Sequence, residues 1–151
     1  MPPRRGSIIL AVDPSRNTMN RTLGLYGVSV ATFFAMDMVW LGLIASDFYA
    51  RHLGHLLSPD VLWVPAIVFY LLFVVGVVKF VTLPAAGSVR LAALNGAFFG
   101  LVTYATFDLT CLALFRDFPV IVVVVDLAWG AFLSASVASV GALASRRFQT
   151  A

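Results

Sequence analysis

The run Val120–Ala144, VIVVVVDLAWGAFLSASVASVGALA, decides the fold of this chain. Asp126 is the one charged residue within it. A helix needs about 20 consecutive apolar residues to cross the roughly 30 Å hydrocarbon core of a bilayer, and this run is longer than that. It is therefore expected to form a transmembrane helix.

Similar apolar runs fill most of the remaining sequence. The chain has 151 residues, of which 61% are hydrophobic and 11% are charged, whereas soluble domains carry about 25% charged residues. We predict an all-α fold, an integral membrane bundle of four antiparallel transmembrane helices forming one domain over residues 21–146. The expected spans cover about residues 23–45, 62–83, 91–115 and 120–144, and residues 1–20 are expected to be a disordered cytoplasmic tail.

Basic residues bracket these runs unevenly and predict the orientation. Arg51 and Arg116 lie on one side of the membrane, and the side that carries both termini holds a larger set: Arg4, Arg5, Arg16, Arg21, Lys79, Arg90, Arg146 and Arg147. The positive-inside rule then places both termini in the cytoplasm. Because the positive charges follow the spans, they do not indicate nucleic-acid binding.

Three aspartates interrupt the apolar runs. Counting residues from the helix ends puts Asp37, Asp108 and Asp126 each about 12–14 Å below the outer surface. An acid in the middle of a span costs about 2.5–3.5 kcal/mol, so the three are expected to face inward in one layer, with at least one neutral at pH 7.

Hydrogen-bond donors accompany these acids. The pattern Asp-x-x-Trp occurs at Asp37 and Trp40 and again at Asp126 and Trp129, and this spacing puts both side chains on one helix face. The predicted ligand or proton pocket comprises Asp37, Trp40, Tyr70, Tyr104, Asp108, Thr110, Asp126 and Trp129. Two alternatives stay open: the acids only brace the helices, or the tryptophans only anchor the membrane interface.

Outside the spans, the segment 46–60 alternates aromatic and charged residues. It predicts a short interfacial helix with Phe48, Tyr49 and Leu53 facing lipid. His52 and His55 are interpreted as solvated residues, so no metal and no cofactor are predicted. The lone Cys111 allows no internal disulfide.

Small residues recur at intervals of four in the last two spans. Gly96 and Gly100 form one ridge and Gly130 and Ser134 begin another, so the packing seams are expected there.

Four stretches together resemble a known family: MDMVWLG (36–42), FYLLFVVGVVKF (69–80), YATFDLT (104–110) and VDLAWG (125–130). The chain is similar to the bacterial four-span membrane proteins called domain of unknown function 2177. That resemblance implies a multi-pass protein of the bacterial inner membrane and transfers no catalytic role. Family members commonly have Tyr and Asn where this chain has Phe107 and Cys111, which removes two hydrogen-bonding groups.

Three function classes follow. The favoured class is transport or binding, in which the acidic, aromatic pocket binds a small ligand or handles protons or cations. The second is a membrane enzyme or enzyme subunit in lipid modification, with a neutral aspartate as general acid beside Tyr104; this class needs a lateral opening to the bilayer. The third is a structural partner of another membrane protein or of a second copy. The predicted partners are the lipid bilayer and either another membrane protein or a second copy of the chain. We assign no catalytic residue and expect that the protein is not an enzyme.

Overall fold

The computed structural model describes residues 14–58 and 60–150, which form five α-helices and two π-helical turns. The α-helices are α1 (Pro14–Val39), α2 (Ser46–Leu53), α3 (Trp63–Val77), α4 (Val89–Leu114) and α5 (Val120–Thr150). The π-helical turns, Trp40–Ile44 and Val78–Thr82, extend α1 and α3. The described part of the chain contains no strand.

Four of these helical segments are long and apolar enough to cross a membrane. They cover Met19–Ile44, Trp63–Thr82, Val89–Leu114 and Val120–Arg147. Large apolar side chains such as Leu72, Phe98 and Phe132 point away from the bundle, as expected where lipid replaces water. The expected all-α fold with four spans is confirmed.

Short connections make successive spans run in opposite directions. Ser88 caps α4 by accepting a hydrogen bond from the Leu91 N–H group at 3.4 Å. Asp117 adopts a left-handed conformation, with φ of 59°, in the turn before α5. We call the end of the bundle that carries α2 and this turn the α2 end.

The first helix begins within the segment 1–20 that was expected to be a disordered tail. It starts at Pro14 and takes in residues 14–20 of the proposed tail. Residues 1–13 of that tail lie outside the described residues.

The expected packing seam lies between α4 and α5. A Cβ atom on Gly96 would approach the carbonyl oxygen of Ser134 to 2.7 Å, and one on Gly100 would overlap the backbone of Gly130. Only glycine allows the two helices to come this close. The small-residue ridges of α4 and α5 therefore pack against each other within one molecule.

An apolar core closes the bundle toward the end opposite α2. Phe33, Val77, Leu133 and Val137 are completely buried in it. The π-helical turn after α3 packs against both α4 and α5, whereas the preceding part of α3 lies farther from α4. The bundle is thus tight at one end and open at the α2 end.

Candidate functional site

A cavity of about 780 Å³ occupies the α2 end of the bundle, and all five helices contribute to its wall. This volume lies within the range of about 300–1,000 Å³ that is typical of small-molecule sites. The residues of the predicted pocket that line it are Asp37, Trp40, Tyr70, Tyr104, Asp108, Asp126 and Trp129.

Asp37 is held by donors from two other helices. It is 4% exposed. The Tyr70 hydroxyl of α3 donates to its Oδ2 at 2.6 Å, and the Trp129 indole of α5 donates to its Oδ1 at 3.3 Å. Both carboxylate oxygens therefore have partners, and the contact fixes α1, α3 and α5 relative to one another.

The two tryptophans stack face to face. The ring centroids of Trp40 and Trp129 lie 4.4 Å apart with an angle of 8° between the ring planes. The Trp129 indole donates its hydrogen bond to Asp37, the aspartate of the other Asp-x-x-Trp pair. The Trp40 indole donates to the Tyr49 hydroxyl at 3.2 Å. Tyr49 in turn donates to Asp126. The two sequence pairs are therefore crossed, because each indole is connected to the aspartate of the other helix.

Tyr49 is the main residue that the sequence interpretation missed. It was expected to face lipid together with Leu53, and both instead line the cavity from α2. The expectation was wrong because the apolar face of a short amphipathic helix can cover a protein cavity as well as a membrane surface. The signal that could have revealed it is a phenol next to a layer of acids that require donors.

The environment of Tyr49 favours its neutral form. Burial, and then the hydrogen bond to Asp126, raise the pKa of Tyr49 well above its ordinary value of 10.0. The phenol therefore remains a donor to Asp126 throughout the physiological range.

Asp108 is the least satisfied acid of the site. It is 1% exposed, and its Oδ1 atom has no hydrogen-bond partner among the described residues. Asp126 of α5 lines the same cavity. Two neighbouring carboxyl groups can share a hydrogen bond only when one of them is protonated, so this pair can hold a proton or accept a donor from a ligand.

Tyr104 takes a position that depends on Gly130. A Cβ atom on Gly130 would overlap the Tyr104 ring, so the ring lies directly against the backbone of α5. The ring also meets Phe73 edge-on with centroids 6.3 Å apart. Within the described residues, Oδ1 of Asp108 has no hydrogen-bond partner, so the Tyr104 hydroxyl does not donate to it.

Thr110 is the predicted site residue that the structure places elsewhere. Its hydroxyl donates to the carbonyl of Thr106 on its own helix, and it does not line the cavity. Two residues along a helix correspond to a rotation of about 200°, so Thr110 points away from the face that carries Asp108. Thr103 lines the cavity from α4.

Two phenylalanines form a rim between α3 and α4. Phe69 is 49% exposed and Phe107 is 67% exposed, yet both line the cavity. They belong to α3 and α4, two helices that make few contacts with each other, so the cavity reaches the lipid-facing side of the bundle at these two rings.

The site combines carboxylate acceptors with aromatic walls and contains no lysine or arginine among its lining residues. Such a site can accept hydrogen bonds from a donor or hold a positive charge. No group of three His, Cys, Asp or Glu within residues 14–58 and 60–150 is arranged to hold a metal ion.

Comparison with known proteins places the chain in a family. A family model described as a predicted membrane protein, DUF2177, matches residues 22–143. No curated protein and no solved structure matches the chain. The matched region contains the second and third spans, most of the first and fourth, and every residue that lines the cavity. The chain therefore belongs to the DUF2177 family of membrane proteins.

Proposed function

We propose that this protein binds a small ligand in the cavity at the α2 end, and that the ligand presents a hydrogen-bond donor or a positive charge to Asp108 and Asp126. The ligand would lie against the aromatic walls formed by Trp40, Tyr104 and Trp129.

The observation that carries this proposal is the state of Asp108. A buried polar atom without a partner costs about 1–3 kcal/mol, and more when it is charged. Asp37 and Asp126 have donors from the protein, whereas Oδ1 of Asp108 has none among the described residues and its side chain faces a cavity large enough for a ligand. A donor supplied by a ligand would complete the site.

The packing beneath the cavity favours binding over conduction. Phe33 contacts the rings of Tyr70 and Phe73, each with centroids 5.3 Å apart. Below them lie the fully buried side chains of Val77, Leu133 and Val137. A hydrated ion would have to displace this apolar layer to reach the opposite end of the bundle.

The test compares small ligands that differ only in their head groups. Purified protein in phosphatidylcholine nanodiscs is heated with propylamine, propanol or propionate, and the unfolding temperature is recorded. Propylamine is expected to stabilise the protein, by about 2.7 kcal/mol at a concentration 100 times its Kd. Propionate is expected to have no effect, because carboxylates already line the site.

Matched variants locate the binding. Asp108→Asn should lose the stabilisation by propylamine, whereas Asp117→Asn, the same change in an exposed turn, should keep it. Equal shifts with all three compounds, or an undiminished shift in Asp108→Asn, would contradict the proposal and favour acids that only brace the bundle.

Proton handling by the same pair of acids is the second candidate. The placement of Asp108 and Asp126 on one cavity favours it, because two neighbouring carboxyl groups can share a proton that an arriving cation displaces. If binding releases one proton, the affinity for propylamine should rise about tenfold per pH unit while the pair is protonated. An affinity independent of pH between 5 and 8 would count against this candidate.

The remaining function classes have less support. The glycine ridges of α4 and α5 are covered by each other and do not offer a free surface to another protein. A role in lipid modification would use the lateral opening, but the residues that line the cavity include no cysteine, and no histidine to activate a hydroxyl such as that of Thr103.

A further inference from the structure

The cavity is reached from the side of the bundle. α3 approaches α4 through Gly76, where an added Cβ would lie 3.0 Å from the ring of Phe99, and through the contact of Phe73 with Phe99. Nearer to the α2 end, α3 and α4 make few contacts, and Phe69 of α3 and Phe107 of α4 both line the cavity and are exposed on the outside of the bundle. An entry between these two rings would face the region that lipid would occupy.

The depth of this opening matches acyl chains rather than head groups. The second span, Trp63–Thr82, is 20 residues long, about the thickness of the hydrocarbon core. Phe69 lies six residues beyond Trp63, so its backbone is about 9 Å below the helix end. Phe107 lies about 10 Å below the end of α4 by the same count. A molecule passing between these rings would come from the hydrocarbon layer.

The polar part of the cavity selects against anions. Its titratable side chains come from α1, α2, α3, α4 and α5, and all are acids or phenols: Asp37, Tyr49, Tyr70, Tyr104, Asp108 and Asp126. No cationic side chain stands among the lining residues to neutralise a phosphate or a carboxylate. A head group that donates hydrogen bonds would find an acceptor in Asp108, whereas an anionic head group would be repelled.

We propose that the natural ligand is an amphiphile drawn from the surrounding leaflet, with an amino or hydroxyl head group at Asp108 and one apolar chain leaving between Phe69 and Phe107. This inference rests on the proposed function, because it names the class of ligand that the cavity takes. It adds two features that binding at Asp108 alone does not require: entry of the ligand from the side of the bundle, and an apolar chain on the ligand.

The experiment uses a photoreactive long-chain amine. Dodecylamine carrying a diazirine in the middle of its chain is mixed into phosphatidylcholine vesicles that contain the full-length protein, and labelled residues are located by mass spectrometry. We expect labelling to concentrate on the segments of α3 and α4 around Phe69 and Phe107. An excess of unlabelled dodecylamine should reduce it by at least fivefold.

Head-group controls use the same chain. The matching dodecanol probe should label the same segments. The matching dodecanoate probe should label the protein only non-specifically, so an excess of unlabelled dodecanoate should not reduce its labelling. Asp108→Asn should lose the competed fraction for the amine, and Asp117→Asn should retain it. The competition by unlabelled amine in the unaltered protein serves as the test if Asp108→Asn does not fold.

The outcomes separate the two proposals. If propylamine stabilises the protein through Asp108 but the long-chain probe labels all lipid-facing surfaces evenly and without competition, the lipid inference is wrong and the binding function stands. Competed labelling by dodecanoate as strong as that by the amine would overturn the head-group assignment. If neither propylamine nor dodecylamine binds, the proposed function fails as well.

Discussion

Tyr49 connects a helix outside the membrane spans to an acid inside one of them. Its hydroxyl accepts from Trp40 and donates to Asp126, so it joins the end of the first span to the start of the last. The remaining contacts of α2 are mainly with the adjoining π-helical turn. This one side chain is therefore expected to hold α2 over the cavity.

Replacing Tyr49 by phenylalanine should release α2. A hydrogen bond to a charged group contributes about 1.5–3 kcal/mol, which corresponds to a tenfold to hundredfold larger open population. Trypsin cleavage after the exposed Arg51 of α2 should accelerate by about that factor.

The matched control is Tyr26→Phe, which removes the hydrogen bond from Tyr26 to the carbonyl of Leu71 in another part of the bundle. Cleavage after Arg51 should stay at the unaltered rate in this variant. If both variants are cleaved equally, Tyr49 does not hold α2 in place.

The raised pKa of Tyr49 also predicts a dependence on pH. Because the docked phenol binds its proton more tightly than a free phenol, docking is fully stable below the ordinary pKa of 10.0 and weakens as the pH rises above it. Trypsin cleavage after Arg51 should therefore be constant from pH 7 to 9 and faster above pH 10, relative to an unstructured peptide substrate. Acceleration already below pH 9 would contradict the assignment.

At the scale of elements, the hairpin of α4 and α5 forms the rigid wall of the site. The glycines that let these helices approach also decide where Tyr104 lies, since its ring rests on Gly130. Gly130 thus sets both the distance between α4 and α5 and the position of the Tyr104 ring in the cavity wall.

Gly130→Ala should change the site without touching an acid. The added methyl group would overlap the Tyr104 ring, so either the ring moves into the cavity or the helices separate. Such overpacking costs about 1–3 kcal/mol. We expect a lower unfolding temperature and a weaker shift with propylamine.

Gly27→Ala provides the control for this change, because a Cβ atom at Gly27 meets nothing within 4 Å. It replaces glycine inside α1 and should leave stability the same or slightly higher. Identical behaviour of the two variants would show that Tyr104 does not depend on Gly130.

The elements also show which parts of the site were predictable. Counting depth along the spans brought the three aspartates to one level because helix rise is fixed at about 1.5 Å per residue. The same geometry, applied as rotation about the helix axis, would have excluded Thr110. The position of α2 was not predictable, because its apolar face fits lipid and cavity equally well and only tertiary contacts decide between them.

At the scale of the whole molecule, the four spans followed from apolar length alone, since the bilayer requires every backbone group to be satisfied within a helix. The gap between α3 and α4 did not follow, because the apolar side chains of α3 are typical of contact with either lipid or protein. In the sequence, Phe69 and Phe107 look like ordinary lipid-facing residues, and only the structure shows that they line a cavity.

The orientation of the molecule remains a prediction from its charges. Single cysteines at His55 and Arg90, both exposed, are introduced separately into a Cys111→Ala background. A membrane-impermeant maleimide is applied to intact spheroplasts of bacteria that express each variant. It should label His55→Cys and should not label Arg90→Cys. The reverse pattern would place the termini outside the cytoplasm.

The crossed links between α1 and α5 have a consequence for biosynthesis. The ribosome synthesises α1 before α5, yet Trp129 and Asp126 of α5 are the partners that complete the contacts of Asp37 and Tyr49. Until α5 has entered the membrane, Asp37 has only Tyr70 of its two hydrogen-bond donors. A nascent chain that stops before Val120 would therefore expose an unsatisfied carboxylate to membrane quality control, and the site can assemble only after α5 has been synthesised.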